Sequence, residues 1–123
     1  MAIVNLTVRK LADWNEFGTP VTSTALFEAL NASDGGRIAW NFRDDKVLIV
    51  AQNTDSSAHT LTVKAGNGLQ GAAGDLEISL GAGMTTFVAI DSGRFKNVSG
   101  DNRGYVLLNG KSATIKVAVF KMP

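Results

Sequence analysis

Hydrophobic and polar residues alternate with a period of two along most of the chain. Over Ile3 to Arg9, Val4, Leu6 and Val8 alternate with Asn5, Thr7 and Arg9. Over Ile38 to Arg43, Ile38, Trp40 and Phe42 fall on one face, with Asn41 and Arg43 on the other. The pattern returns at Thr60 to Ala65 and at Asp75 to Leu80. It closes with Tyr105 to Leu108 and Thr114 to Phe120, where Ile115, Val117 and Val119 share a face. Thr85 to Ile90 is rich in β-branched and aromatic residues. Successive side chains of a strand point to opposite sides, so this alternation is what a half-buried strand requires. Val47 to Ala51 is apolar throughout, which predicts a central strand covered on both faces.

The segments are punctuated by turn-forming residues: Asp34-Gly35-Gly36, Asn53 to Ser57, Gly66-Asn67-Gly68, Gly81-Ala82-Gly83, Asp91-Ser92-Gly93 and Asn109-Gly110. These residues tolerate positive φ or bond to their own backbone, and Asn-Gly between strands signals a tight hairpin. The expected fold is all-β, with about eight short strands in one antiparallel β-sandwich or barrel, jelly-roll or Ig-like. A chain of 123 residues suits a single domain spanning 1–123.

Residues 12–33 break the alternation. They contain Trp14, Phe17 and Pro20, and Thr22 to Leu30 opens with hydroxyl residues before Leu26, Phe27 and Leu30. This predicts one short helix near residues 22–30. Residues 1–33 are therefore expected to form an N-terminal strand or arm followed by a loop-helix excursion. Its helix can also serve as a lid that packs Phe27 and Leu30 over an open end of the fold.

Composition narrows the chemistry. There is no cysteine, which excludes disulfides, thiolate zinc sites and cysteine nucleophiles. Twelve basic residues balance 11 acidic ones for a net charge of +1. That balance gives no electrostatic case for a nucleic-acid or membrane partner. The start, Met1 to Leu11, lacks the basic and apolar regions of a signal peptide, and Val47 to Ala51 is too short to span a bilayer. Synthesis and folding in the cytoplasm are the expectation.

Candidate motifs resolve towards structure. Gly66-Asn67-Gly68-Leu69-Gln70-Gly71 spells a dinucleotide fingerprint, but a period-2 segment follows it where a helix is required. The single histidine, His59, lies near Asp55 and Ser57, without the elbow that presents a catalytic serine. Asp44 and Asp45 are adjacent turn residues that point apart. The oxygen-rich Asp91 to Asn102 stretch does not follow EF-hand spacing and carries Arg94, Lys96 and Arg103. No catalytic residue, cofactor or metal is expected. Trp14 and Phe17 lie outside any strand pattern, which makes them candidate anchors for a partner. Ile3, Val4, Leu6 and Val8 supply a segment able to add a strand to a neighbour's sheet.

Several motifs carry a family resemblance. They are Asp34-Gly35-Gly36-Arg37, Val47 to Asn53, the Thr60 to Lys64 strand, Gly83 to Val88, Asp91 to Asn97, Gly104-Tyr105-Val106 and Ala113 to Phe120. Over residues 34–122 the chain resembles small phage structural proteins of the capsid decoration or minor capsid type. The resemblance implies a non-enzymatic virion protein that binds the major capsid protein or another virion protein and stabilises the capsid. It also implies a homo-oligomer, with a trimer expected. Two alternatives stand beside it: a carbohydrate-binding or adhesive β-sandwich module, and a tail or neck connector subunit.

Overall fold

The alternating segments fold as strands. The structure is a computed structural model that describes residues 3–123. In chain order the elements are β1 (Val4–Asn5), β2 (Val8–Lys10), α1 (Ser23–Leu26), β3 (Glu28–Ala29), β4 (Gly36–Ala39), β5 (Val47–Asn53), β6 (His59–Val63), β7 (Leu76–Leu80), β8 (Thr85–Val88), α2 (Ser92–Phe95), β9 (Tyr105–Asn109) and β10 (Ile115–Lys121). The first sheet has the order β1-β4-β9-β6-β7. The second has the order β2-β10-β5-β8, and β3 also pairs with β10.

One apolar cluster draws on both sheets. Ile38, Leu61, Val63, Val106 and Leu108 come from the first, and Ile49, Ala51, Val88, Val117 and Val119 from the second. Trp40 joins it at 2% exposure. β5 is central, as its unbroken apolar run predicted, between β10 and β8. Its ladder with β10 runs from Ile115↔Asn53 to Lys121↔Val47.

Two differences from the expected antiparallel sandwich or barrel concern the sheets. Both are mixed, because β1 runs parallel to β4 and β2 runs parallel to β10. The strand order does not close into a barrel.

The N-terminal segment also departs from expectation. Ile3 to Arg9 is not one strand but two, joined by a switch between sheets at Leu6-Thr7. The Leu6 N–H donates to the Arg37 carbonyl of the first sheet at 2.9 Å. The next N–H, of Thr7, donates to Glu28 Oε1 beside the second sheet at 2.7 Å. Leu6 is buried at 7% exposure, and Val4 and Val8 pack against the core. The segment is thus not an arm separable from the domain, since its apolar side chains are already used internally. Met1 and Ala2 of the expected arm lie outside the described residues.

The helix expected near 22–30 is confined to Ser23–Leu26. Thr22 caps it by accepting from the Ala25 N–H at 3.2 Å. Phe27 is already extended, with φ −99° and ψ 137°, and Glu28 and Ala29 pair with Val117 and Lys116 of β10. One isolated helical turn is weakly favoured by itself. A strand ladder combined with burial of Leu30 at 1% exposure therefore wins.

Asn53 closes the end of β5. Its side chain is 1% exposed. Its amide donates to the carbonyls of Ser57 (2.8 Å), Leu80 (3.2 Å) and Gly81 (3.3 Å). Its oxygen accepts from the Asp55 N–H at 3.0 Å and from the Thr114 hydroxyl at 3.4 Å. Truncation would leave buried carbonyls without donors, a penalty that water cannot offset. Asn53→Ala is expected to lower unfolding stability by about 2 kcal/mol or more. The check is a urea titration, with a lower midpoint and an unchanged slope as the expected outcome.

Candidate interaction surfaces

The two sheets present unlike outer faces. In the first sheet the side chains pointing away from the core include Asn5, Arg37, Thr60, Thr62, Glu77 and Asn109. A shallow polar groove there is lined by Thr60, Thr62, Glu77, Asn109 and Lys111. Arg37 stacks on Tyr105 with its guanidinium 4.2 Å from the ring centroid.

The outer face of the second sheet is apolar. Ile49, Ala51, Val117 and Val119 point into the core, so alternation turns Leu48, Val50, Ala118 and Phe120 outward. The registers Phe120↔Leu48, Ala118↔Val50 and Val50↔Phe87 make these side chains neighbours. Phe27 stands beside the same face, where it lines a hollow with Gln52 and Lys116. Val50 and Ala118 are buried at the centre, Leu48 and Phe120 are half-buried, and Phe87 is 70% exposed. The β5 run predicted cover on both faces, and the outward Val50 and Ala118 are indeed buried within the chain itself, at 6% and 2% exposure. The exposed apolar surface of this face is confined to its margin, at Phe87, with Leu48 and Phe120 half-buried.

Of the six residues singled out from the sequence, the structure sorts two groups. Leu6 is buried and Ile3, Val4 and Val8 are half-buried within the domain. Trp14 and Phe17 are exposed at 63% and 90%, together with Leu11 and Val21 on the same excursion. This excursion leaves β10's edge after β2, where the Leu11 N–H donates to the Lys121 carbonyl at 2.9 Å. It returns to the same edge at β3. Arg9 Nη2 bonds the Ala25 carbonyl at 2.9 Å and ties the two ends together. Between them Asp13 holds a local turn through the N–H groups of Trp14 and Glu16.

The polar candidates make local contacts within the fold. His59 Nε2 lies 2.8 Å from Asp55 Oδ2. The hydrogen bond with His59, followed by the Ser56 N–H, holds the half-buried Asp55 carboxyl below its ordinary value. Among the described residues no hydrogen bond joins the Ser57 hydroxyl to His59; Ser57 contributes its carbonyl to Asn53. The glycines of the 66–71 stretch permit close backbone approach. A Cβ on Gly66 would strike the Lys96 carbonyl, and one on Gly71 would strike that of Gly66. Among the described residues no group of three or more His, Asp or Glu side chains is placed to hold a metal ion. No helix there is long and apolar enough to cross a membrane.

The comparisons are silent. No family model matches the chain, and no curated protein and no solved structure is significantly similar to it.

The motifs that carry the phage resemblance have local structural causes. Gly35 adopts φ +70° in the turn after Asn31, whose side-chain oxygen accepts from the N–H groups of Ser33 and Asp34. Asp91 caps α2 through the Gly93 N–H at 2.8 Å. Phe95 and Asn97 are buried, and the Asn97 amide donates to the Tyr105 carbonyl at 3.0 Å.

α2 is tied to the core by Asp44. Its Oδ1 accepts from the Trp40 indole at 2.9 Å, and its Oδ2 accepts from the Ser92 N–H and hydroxyl at 2.9 and 3.1 Å. Burial alone would raise this carboxyl. The Ser92 N–H, the Trp40 indole, the Ser92 hydroxyl and the Lys96 charge outweigh it and hold the pKa below its ordinary value. A depressed folded-state pKa stabilises the fold above the unfolded value, and that stabilisation is lost as pH falls through the folded value. Asp44→Ala is therefore expected to weaken the protein at neutral pH and to flatten its loss of stability on acidification. Urea midpoints measured from about pH 7 to about pH 3 test this, because the wild-type and variant curves should converge at the acid end.

Proposed function

We propose that this chain is a non-enzymatic virion structural protein that binds a capsid surface and stabilises it. In this reading the two sheets are the halves of a β-sandwich, as the jelly-roll or Ig-like expectation requires. The apolar outer face of the second sheet is the docking face, and Trp14 and Phe17 are anchors at its margin.

One observation carries the docking reading: Phe87, 70% exposed, and the half-buried Leu48 and Phe120 leave large apolar side chains at the outer face of the second sheet. Exposed large apolar side chains grouped on one face mark surfaces that partners bind. Exposed Trp and Phe side chains, at 63% and 90%, are the residue types that dominate binding energy when a partner buries them. The phage assignment is supported by the motif resemblance over residues 34–122. A stiff sheet scaffold with an adhesive face fits reinforcement of a lattice.

The original expectation of strand donation by Ile3 to Val8 changes in this proposal. Those residues hold the scaffold, and the contact moves to Trp14, Phe17 and the second sheet's outer face. Co-sedimentation with expanded capsids of the cognate phage tests it. The wild type is expected to pellet with capsids. Trp14→Ala with Phe17→Ala, or Leu48→Thr alone, should each weaken binding about tenfold or more while the variants remain folded. Wild-type protein that stays in the supernatant would count against the capsid reading. Variants that bind as wild type would count against this face.

A further inference from the structure

We infer that β8 is a self-association edge, through which two copies of this chain pair antiparallel about a two-fold axis at Phe87. The inference is independent of the capsid reading and concerns the free protein.

β8 is the outermost strand of the second sheet. The Asn53 N–H donates to the Met84 carbonyl at 2.9 Å, and the ladder continues through Gln52↔Thr85, Ala51↔Thr86, Val50↔Phe87 and Ile49↔Val88. Bonded and non-bonded pairs alternate in an antiparallel ladder. Met84, Thr86 and Val88 therefore spend their backbone groups on β5. The N–H and C=O groups of Thr85, Phe87 and Ala89 point away from the sheet. Thr85, Phe87 and Ala89 are also exposed.

Folded proteins normally blunt such edges with charge, proline or short length. The other outermost strands follow that rule. β7 carries Glu77 directly after Asp75-Leu76, β2 carries Arg9 and Lys10, and β1 has only two residues. From Gly81 to Ile90 there is no charged residue and no proline. Two β8 edges can thus meet without like-charge repulsion, whereas two β7 edges would bring carboxylates together.

Antiparallel pairing of identical strands is self-complementary and closes after two copies. Centring it on Phe87 matches the free groups of Thr85 with those of Ala89 of the partner subunit. It also sets the two Phe87 rings side by side on the outer face, and the exposed Met84, at 61%, flanks them. The two second sheets become one continuous sheet. The result is a dimer in place of the trimer that the resemblance implied.

Light scattering and sedimentation velocity on the free protein, over a dilution series into the micromolar range, test this directly. The wild type should run at twice the chain mass. Thr85→Lys with Ala89→Lys places like charges opposite each other across the axis and should give a folded monomer by circular dichroism. Thr85→Lys with Ala89→Glu places opposite charges there and should restore the dimer. Amide exchange at Thr85 and Phe87 should slow as the wild-type concentration rises. A wild-type monomer at every concentration, any other stoichiometry, a like-charge variant that stays dimeric, an opposite-charge variant that stays monomeric, or concentration-independent exchange would each overturn the proposal. None of these outcomes depends on whether capsids bind.

Discussion

A single buried amide holds the ends of four strands in place. Asn53 terminates β5, and its side chain reaches the turn that leads to β6, the β7–β8 connection and the start of β10. An amide inside an apolar core is tolerated only when its donors and acceptor are paired. Here the pairing requires the β5–β6 turn, the carbonyls of Leu80 and Gly81, and Thr114 to arrive together. The two sheets are thereby fixed against each other at one end by hydrogen bonds, while Leu6, Leu30, Ile38 and Trp40 fill the rest by packing. Everything placed on the second sheet inherits its position from this junction, including the outer face of β5 and the edge strand β8.

The strand pattern was legible because period-2 alternation reports burial on one face directly. Seven of the alternating or β-branched stretches became β4 to β10 with shifts at their ends. Two features were not legible, each for a tertiary reason. The switch at Leu6-Thr7 preserves the alternation across two sheets, so the sequence cannot distinguish it from one strand. The stretch Thr22 to Leu30 has the spacing of a helix, yet Glu28 and Ala29 are claimed by β10. Val47 to Ala51, by contrast, was legible: its unbroken apolar run implied cover on both faces, and Ile49, Val50 and Ala51 are all buried.

The candidate site shows the same division. Trp14 and Phe17 were recognisable because nothing in the local pattern gave them a core to enter. Leu48, Val50, Ala118 and Phe120 were hidden among core residues and became visible only once register and sheet order were known. Some of the motifs behind the phage resemblance are turn glycines, helix caps and buried ties around α2. The others are the strand segments that carry Leu48, Val50, Phe87, Ala118 and Phe120.

The parallel pairing of β2 with β10 has a mechanical consequence. The two strands lie near opposite ends of the chain and run in the same direction, with Val8 beside Val119 and Lys10 beside Lys121. Tension drawing the chain ends apart pulls these neighbours in opposite senses along their common axis. Their hydrogen bonds are then loaded in shear, all together, instead of being peeled open one after another as in a hairpin. The β5–β10 ladder behind them resists in parallel. A domain wired this way is stiff against stretching between its ends, while the opposite flank, closed by β8, lies off that path.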